Sequence, residues 1–426
     1  MNLQIPKGTR DFSPEEKIVM DKIVSTLKEV FELYGFAPLE TPVLERFDVL
    51  ASKYAGGAEI LKETFKLKDQ GNRELGLRYD LTVPLARYFG MNPNIKMPFK
   101  RYQIGEVFRD GPVASARYRQ FTQCDVDVAG SSSMAADAEI IDLVYTIFRK
   151  LNFEAIIKIN NRKLLNDILN YLGIEKSKQE DVILSIDKME KVGVNVVKNE
   201  LKEQKIDEKK INSVLDIISI KGNNSEKISQ LKKILKNSEG LSEIEQLMDY
   251  LKNLNCDAEF DVSLARGLAY YTGTVIEIYI KDSCVKSAVC AGGRYDNMIG
   301  AFLGKSNYPA VGISFGVDRI YDAVVEKQET KQKTNTKVYI IPIKTLNESI
   351  RIAQQLRNEG INTDIDLMEK GPSKNLEYAN SLRIPFVLFI GRKELEENKV
   401  KLRDMKSGKE EMLSVDDVVK KLKSIE

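Results

Sequence analysis

RYQIGEVFRDGPVASARYRQFTQCDVDVAG (101–130) has two runs suited to β-structure on either side of a stretch rich in glycine, proline and small residues. It reads as two strands joined by a loop. The loop and its flanks place Arg109, Arg117 and Arg119 within eleven residues, with Phe121 at the start of the return strand. Guanidinium forks grip phosphate oxygens bidentately and stay charged, and an aromatic beside them can stack on a base. A solvent-exposed basic turn is the other reading of this segment taken alone.

Upstream, ETFKLKDQGNRELGLRY (63–79) fits a hairpin around Asp69-Gln70-Gly71-Asn72, so residues 60–130 read as short antiparallel strands. GFAPLETPVLE (35–45) is a short extended segment, because Pro38 and Pro42 forbid a helix interior. Before it, Ser13-Pro14-Glu15-Glu16 is a capping box, and Val19, Ile23, Leu27, Val30 and Tyr34 follow at helical spacing. That predicts a helix to about Leu33, ending near Gly35.

Downstream come an amphipathic helix over 137–152 and a strand in FEAIIKINN (153–161). From about 162 to 255 the composition turns to Lys, Glu, Asn, Ile and Leu, which reads as a helical insertion with a solvated face. Strand texture resumes at Phe260 and runs through GTVIEIYI, AGGRYDNMIG and PAVGISFGVDRI to a helix near 318–326. Residues 327–336 are polar and aperiodic, a linker. KVYIIPI (337–343), a helix at 346–358, INTDIDL, a helix at 373–382 and PFVLFIG (385–391) then alternate strand and helix, and a hairpin and a helix at 415–424 follow. The expected architecture is α+β: an antiparallel-sheet domain over 1–326 with a helical insertion at about 162–255, then an α/β domain over 337–426.

Composition narrows the chemistry. The 426 residues include no histidine, where ordinary usage would suggest on the order of ten. Histidine bases, Ser-His-Asp triads and histidine-containing zinc sites are therefore excluded. Four widely spaced cysteines with no C-x-x-C argue for buried thiols in a reducing compartment. No apolar run approaches 18 residues and MNLQIPKGTRDF lacks a signal-peptide core, so a cytoplasmic protein without membrane contact is expected. A net charge of +2 leaves any nucleic-acid contact to local patches.

Two further segments hold candidate residues. SLARGLAYYTGTVIE (263–277) sets Arg266 beside Gly267, Tyr270, Tyr271 and Glu277, among small residues where a ligand could approach the backbone. A tyrosine pair in a strand is equally a packing feature. AGGRYDNMIG (291–300) matches neither a dinucleotide fingerprint nor a P-loop and could be only a turn.

Together, PKGTRDF (6–12), RYDLTVPLARY (78–88), the arginine-rich hairpin, RGLAYYTGTV (266–275), AGGRYD (291–296) and PAVGISFGVDRI (309–320) resemble, in order and spacing, the class II aminoacyl-tRNA synthetases, specifically the histidyl-tRNA synthetases. The resemblance covers essentially the whole chain. It implies a class II catalytic sheet and a C-terminal anticodon-binding-like domain. In the ATP site it places Arg109 at the α-phosphate and bound carboxylate, Arg117 at the outer phosphates, Phe121 on adenine and Arg319 at the γ-phosphate. Arg266 would be the family's arginine against the α-phosphate, catalytic together with Arg109.

The same resemblance puts Asp80, Thr82 and Gln123 around the α-amino group of histidine and Asp127 and Tyr271 at its imidazole, with Arg266 and Tyr270 also in that pocket. A carboxylate and a phenol can pair both ring nitrogens, and an apolar amino acid would leave them unpaired. The resemblance further implies ATP as substrate, Mg²⁺ on its phosphates, no zinc, tRNA(His) as partner, no DNA, and a homodimer with Pro42 in its interface. Ala269, Ala116 and Gly111 depart from the family's usual Asp, Gly and Glu. A related alternative is a regulatory subunit of ATP phosphoribosyltransferase, which keeps this fold and senses histidine without charging tRNA.

Overall fold

The two strands anticipated within 101–130 are present as Phe99–Phe108 and Gln120–Ala129, antiparallel and in register over ten residues, from Phe99 opposite Ala129 to Phe108 opposite Gln120. The computed structural model describes residues 3–52, 61–113, 118–267, 270–304, 307–327 and 332–425. The pair lies within an eight-stranded sheet in the order Ala37–Pro38, Phe99–Phe108, Gln120–Ala129, Ala310–Gly316, Cys290–Arg294, Thr274–Ile280, Ala155–Asn161, Glu259–Phe260. Only the two outermost pairings are parallel.

Side chains alternate across a strand, so Phe121, Gln123, Asp125 and Asp127 project from one face of Gln120–Ala129. Helix Met134–Lys150 buries Ile140, Ile141, Val144, Ile147 and Phe148, and helix Pro14–Leu33 buries Ile23, Leu27, Val30 and Phe31. Each such side chain contributes roughly 1.5–3 kcal/mol of transfer free energy. The hairpin expected near residue 70 joins Lys66–Lys68 to Glu74–Leu77. Asp69 holds its turn by accepting from the backbone N–H of Arg73 (2.9 Å), and Asn72 takes a positive φ.

Two local expectations need correction. The stretch 60–130 is not all strand, because Thr82–Met91 is a helix. Pro84 sits in its first turn, where a missing N–H breaks no helical bond. The helix expected at 137–152 begins three residues earlier, at Met134, because Ser133 caps it by accepting from the N–H of Ala135 (3.2 Å).

The insertion is helical between its flanking strands, with helices Arg162–Tyr171, Lys176–Val192, Val194–Glu203, Glu208–Ile218, Asn224–Ile234 and Glu239–Asn253. Gly193, with φ of 85°, separates the second from the third.

By contacts the chain divides into residues 1–10 with 22–327, and residues 11–21 with 328–426. The second unit carries a five-stranded sheet in the order Thr363–Ile365, Val338–Pro342, Phe386–Ile390, Val400–Asp404, Glu410–Leu413. Its first three strands are parallel and the last two return as an antiparallel hairpin. Val338, Ile340, Leu388 and Ile390 pack there against Ala353 and Leu356 of helix Leu346–Asn358 and Val418 of helix Val415–Lys423. Residues 328–331 of the expected linker lie outside the described residues.

Candidate active site

One face of the eight-stranded sheet forms the floor of a cavity of about 1150 Å³. Asp80, Thr82, Arg109, Phe121, Gln123, Asp127, Arg266, Tyr270, Tyr271 and Arg319 all line it, although they come from five separate stretches of sequence. Arg117 and Ala116 of the hairpin loop, and Ala269 before the tyrosine pair, lie outside the described residues.

Three guanidiniums mark one part of the cavity. Arg109 lies over the rings of Tyr79 (4.3 Å) and Phe121 (5.0 Å), and its Nε donates to the Tyr79 carbonyl (3.3 Å). Arg266 pairs through Nη1 with the Glu277 carboxylate, while its buried Nε has no hydrogen-bond partner. Arg319 donates from Nη1 to the carbonyl of Ala288 (2.6 Å). Burial first, and then the neighbouring Arg109 and Arg266 cations, hold the Arg319 guanidinium below its usual pKa. Three like charges facing one cavity, of which among the described residues only Arg266 has a direct carboxylate pair, suit a polyanion.

The floor beyond them is acidic. Asp127 accepts from the Tyr295 hydroxyl, and its Oδ2 lies 2.8 Å from Nη2 of the fully buried Arg101 without the alignment of a hydrogen bond. Asp80 accepts at Oδ1 from the backbone N–H groups of Thr82 (3.1 Å) and Val83 (3.0 Å), capping the helix that carries Thr82. Gln123 donates from Nε2 to Ser314 Oγ (2.7 Å) and Asp125 Oδ1 (3.1 Å), and its Oε1 is buried without a partner. Burial pushes the carboxyls of Asp80, Asp125 and Asp127 above the usual carboxylate range, with Arg101 opposing the shift in all three and Arg109 also in Asp80.

Glycines give these groups room. A Cβ on Gly312 would stand 1.9 Å from Asp127 Oδ1, and one on Gly292 would stand 2.2 Å from the carbonyl of Gly312. In AGGRYD the arginine serves structure: Arg294 pairs with buried Asp137 and donates to the Ser131 carbonyl (2.9 Å), while the adjacent Tyr295 reaches Asp127. Beside Gly111 the Glu63 carboxylate takes up side-chain space, 2.6 Å from where a Cβ would be, and accepts from the Tyr79 hydroxyl (3.1 Å).

Several lining residues escaped the sequence reading. Helix Lys176–Val192 of the insertion supplies Asp187 and Glu190. Asp187 lies against the backbone at Gly267, and Glu190 accepts from the Tyr279 hydroxyl (3.3 Å). No local pattern distinguishes them from the other acids of a solvated helix. Glu277, by contrast, was named beside Arg266 in the sequence and is the lone charge within the apolar run TVIEIYI. Asp125 left a signal in its alternation with Gln123 and Asp127.

Comparison with known proteins supplies an independent line. A family model for histidyl-tRNA synthetase matches residues 8–320, and a model for an anticodon binding domain matches residues 337–425. A histidine-tRNA ligase 1 from Bacillus cereus is 45% identical over 421 residues, covering 96% of this chain and 95% of the relative. The crystal structure of histidyl-tRNA synthetase from Nostoc sp. PCC 7120 superposes with a TM-score of 0.89 at 31% identity, covering all of both chains. An ATP phosphoribosyltransferase regulatory subunit/histidyl-tRNA synthetase from Bacillus halodurans shares the fold at 20% identity, with a TM-score of 0.75 over 89% of this chain and 97% of its own. Since one family model spans most of the sequence and the Bacillus cereus relative aligns nearly end to end, the chain belongs to the histidyl-tRNA synthetase family.

Proposed function

We propose that the protein activates L-histidine with ATP to histidyl-adenylate and transfers the histidyl group to the 3′ end of tRNA(His), releasing AMP and diphosphate. The observation that carries this is the cavity itself, where Arg109, Arg266 and Arg319 stand beside a buried acidic recess. The recess receives the amino acid, with Asp127 and Tyr271 at the imidazole, Tyr270 beside them, and Asp80, Thr82 and Gln123 at the α-amino end. Arg109 holds the α-phosphate and the substrate carboxylate, Arg117 the outer phosphates, Phe121 the adenine and Arg319 the γ-phosphate.

In the first step a carboxylate oxygen of histidine attacks the α-phosphorus. An oxygen–phosphorus bond forms, the bond to the β-phosphate oxygen breaks, and diphosphate leaves with that electron pair. The nucleophile is already ionised, so no general base is needed. Arg266 and Arg109 instead neutralise charge that builds on the equatorial oxygens. A chain without histidine can therefore run this chemistry.

Mg²⁺ belongs here as a counterion of ATP, supplying charge neutralisation to the phosphates. Among the described residues no group of three or more Asp, Glu or Cys could cage a metal. The ion would be held mainly by phosphate oxygens and water, as is usual for it. In the second step the terminal hydroxyl of tRNA attacks the adenylate carbonyl: an ester bond forms, the bond from the carbonyl carbon to the phosphate oxygen breaks, the hydroxyl proton passes to the adenylate phosphate, and AMP leaves.

The remaining roles follow the family. The C-terminal unit reads the anticodon, the Lys-rich insertion lies along the acceptor stem, and the enzyme works in the cytoplasm, without DNA or membrane. Two copies would pair through the surface around Pro42, where Val43 and Leu44 are also exposed.

The experiment is transfer of labelled histidine to total tRNA by the purified protein with ATP and Mg²⁺, run beside other amino acids. Histidine-only charging is expected, and Arg266→Ala should slow adenylate formation on the order of 10²-fold or more while ATP binding changes less. Histidine binding without any charging would overturn this reading in favour of the histidine-sensing regulatory subunit.

A further inference from the structure

Gln123, Asp125 and Asp127 follow one another along one face of a single strand, and the middle one has no role in the reading above. Asp125 is 3% exposed and lines the cavity. The carboxylates around it are already engaged. Asp127 has Arg101 and the Tyr295 hydroxyl, and Asp80 Oδ1 has two backbone N–H groups. Asp125 has neutral partners, the Gln123 amide at 3.1 Å and the hydroxyl of Ser314, the residue opposite it on the neighbouring strand. Among the described residues it joins no ion pair. Next to it Gln123 Oε1 is buried, with lone pairs unmet.

A buried carboxyl with no direct ion pair, since Arg101 pairs with Asp127 and acts on Asp125 only through its field, and a buried amide oxygen without a donor together call for a ligand group that is positive and carries several N–H bonds. An ammonium offers three donors and a full charge. Any α-amino acid brings one, whatever its side chain. We propose that Asp125 is a further ionic partner of the substrate's α-ammonium, beside the Asp80 and Gln123 already placed at that end of the substrate. The proposal rests on the reading of the cavity as an amino-acid-activating site.

The protonation behaviour of the empty site agrees with this geometry. Burial raises the Asp125 carboxyl to about 7, Arg101 opposes that shift, and Asp127 adds to it. Asp80, Arg78 and Tyr295 are the other titratable or charged groups near it, and Cys124, on the opposite face of the same strand, feels its charge. Below that value the Asp125–Asp127 pair holds a proton before histidine arrives, which the ammonium must displace. Above it the carboxylate is ready. Histidine binding should therefore release a proton near pH 7, and its dependence on this group should level off above pH 8.

The test is histidine-dependent exchange of diphosphate into ATP, with imidazolepropionate, which is histidine without its amino group, as a competitive inhibitor. Asp125→Asn should raise the KM for histidine roughly 10- to 100-fold, the span of a charged hydrogen bond. The KM for ATP and the inhibition constant of imidazolepropionate should stay within about 3-fold. An equal loss toward both imidazole ligands, or toward neither, overturns the assignment. If Asp125→Asn does not fold, calorimetry on the unaltered protein at pH 7, in buffers of different ionisation enthalpy, decides instead. More protons released by histidine than by imidazolepropionate supports the proposal, and equal release overturns it. An unaltered protein with no histidine-dependent exchange would sink the activation reading, and this proposal with it.

Discussion

At Gly312 a single missing methyl group decides the shape of the acidic recess. Its would-be Cβ meets Asp127 Oδ1 at 1.9 Å and the Val126 carbonyl at 2.9 Å, and Asp127 cannot swing freely because Arg101 and Tyr295 flank it. Gly312→Ala should therefore cost about 1–3 kcal/mol of stability as an overpacked site, read from the unfolding midpoint. It should also raise the KM for histidine more than that for ATP, read from diphosphate exchange. A variant indistinguishable from the parent in both would show that the strand backs away more easily than its neighbours suggest. The residue scale is also where the sequence was least sufficient. Arginines and aromatics with distinctive spacing were legible as candidates and do line the cavity, but the need for glycine at 312 depends on a carboxylate from another strand, far away in sequence.

At the scale of elements, the N-terminal PKGTRDF segment acts as a tie. Arg10 pairs with Asp318 at the head of helix Val317–Lys327 (2.5 Å) and lies over the Tyr118 ring (4.6 Å). Asp318 Oδ2 accepts from the N–H of Thr122 (3.0 Å), and the Gly8 carbonyl accepts from the N–H of Arg119 (2.8 Å). The strand that carries Phe121 and the helix that carries Arg319 are thus joined through the Asp318 carboxylate, which Arg10 holds. Arg10→Ala should raise the KM for ATP on the order of 10-fold, with a smaller effect on histidine, because misplacing positioning groups costs rate without removing a ligand. Arg10→Lys should recover part of it. Equal loss toward both substrates would mean a general folding defect. Strands with alternating patterns and helices with clear caps were legible in the sequence. The helix Thr82–Met91 was not, because Pro84 reads as a break until its place in the first turn is known. The contacts of Asp187 and Glu190 were not legible either, since no short-range pattern says which face of an insertion meets a distant cavity.

Across the whole molecule, charge is nearly balanced at +2 and no helix among the described residues is long and apolar enough to cross a membrane. The missing histidines stand out at this scale. Translating this chain consumes no histidyl-tRNA, so its synthesis should persist when histidine is scarce. The comparison is output of this protein under histidine limitation against a version carrying several surface histidines, and equal output from both would dispose of the idea. The cavity lining has a second consequence. Since no side chain of the chain carries an imidazole, the substrate's would be the only one in the complex, provided no polyhistidine tag is attached. With isotope-labelled histidine, magnetic resonance could then follow the tautomer and ionisation of the bound substrate with no imidazole signal from the protein.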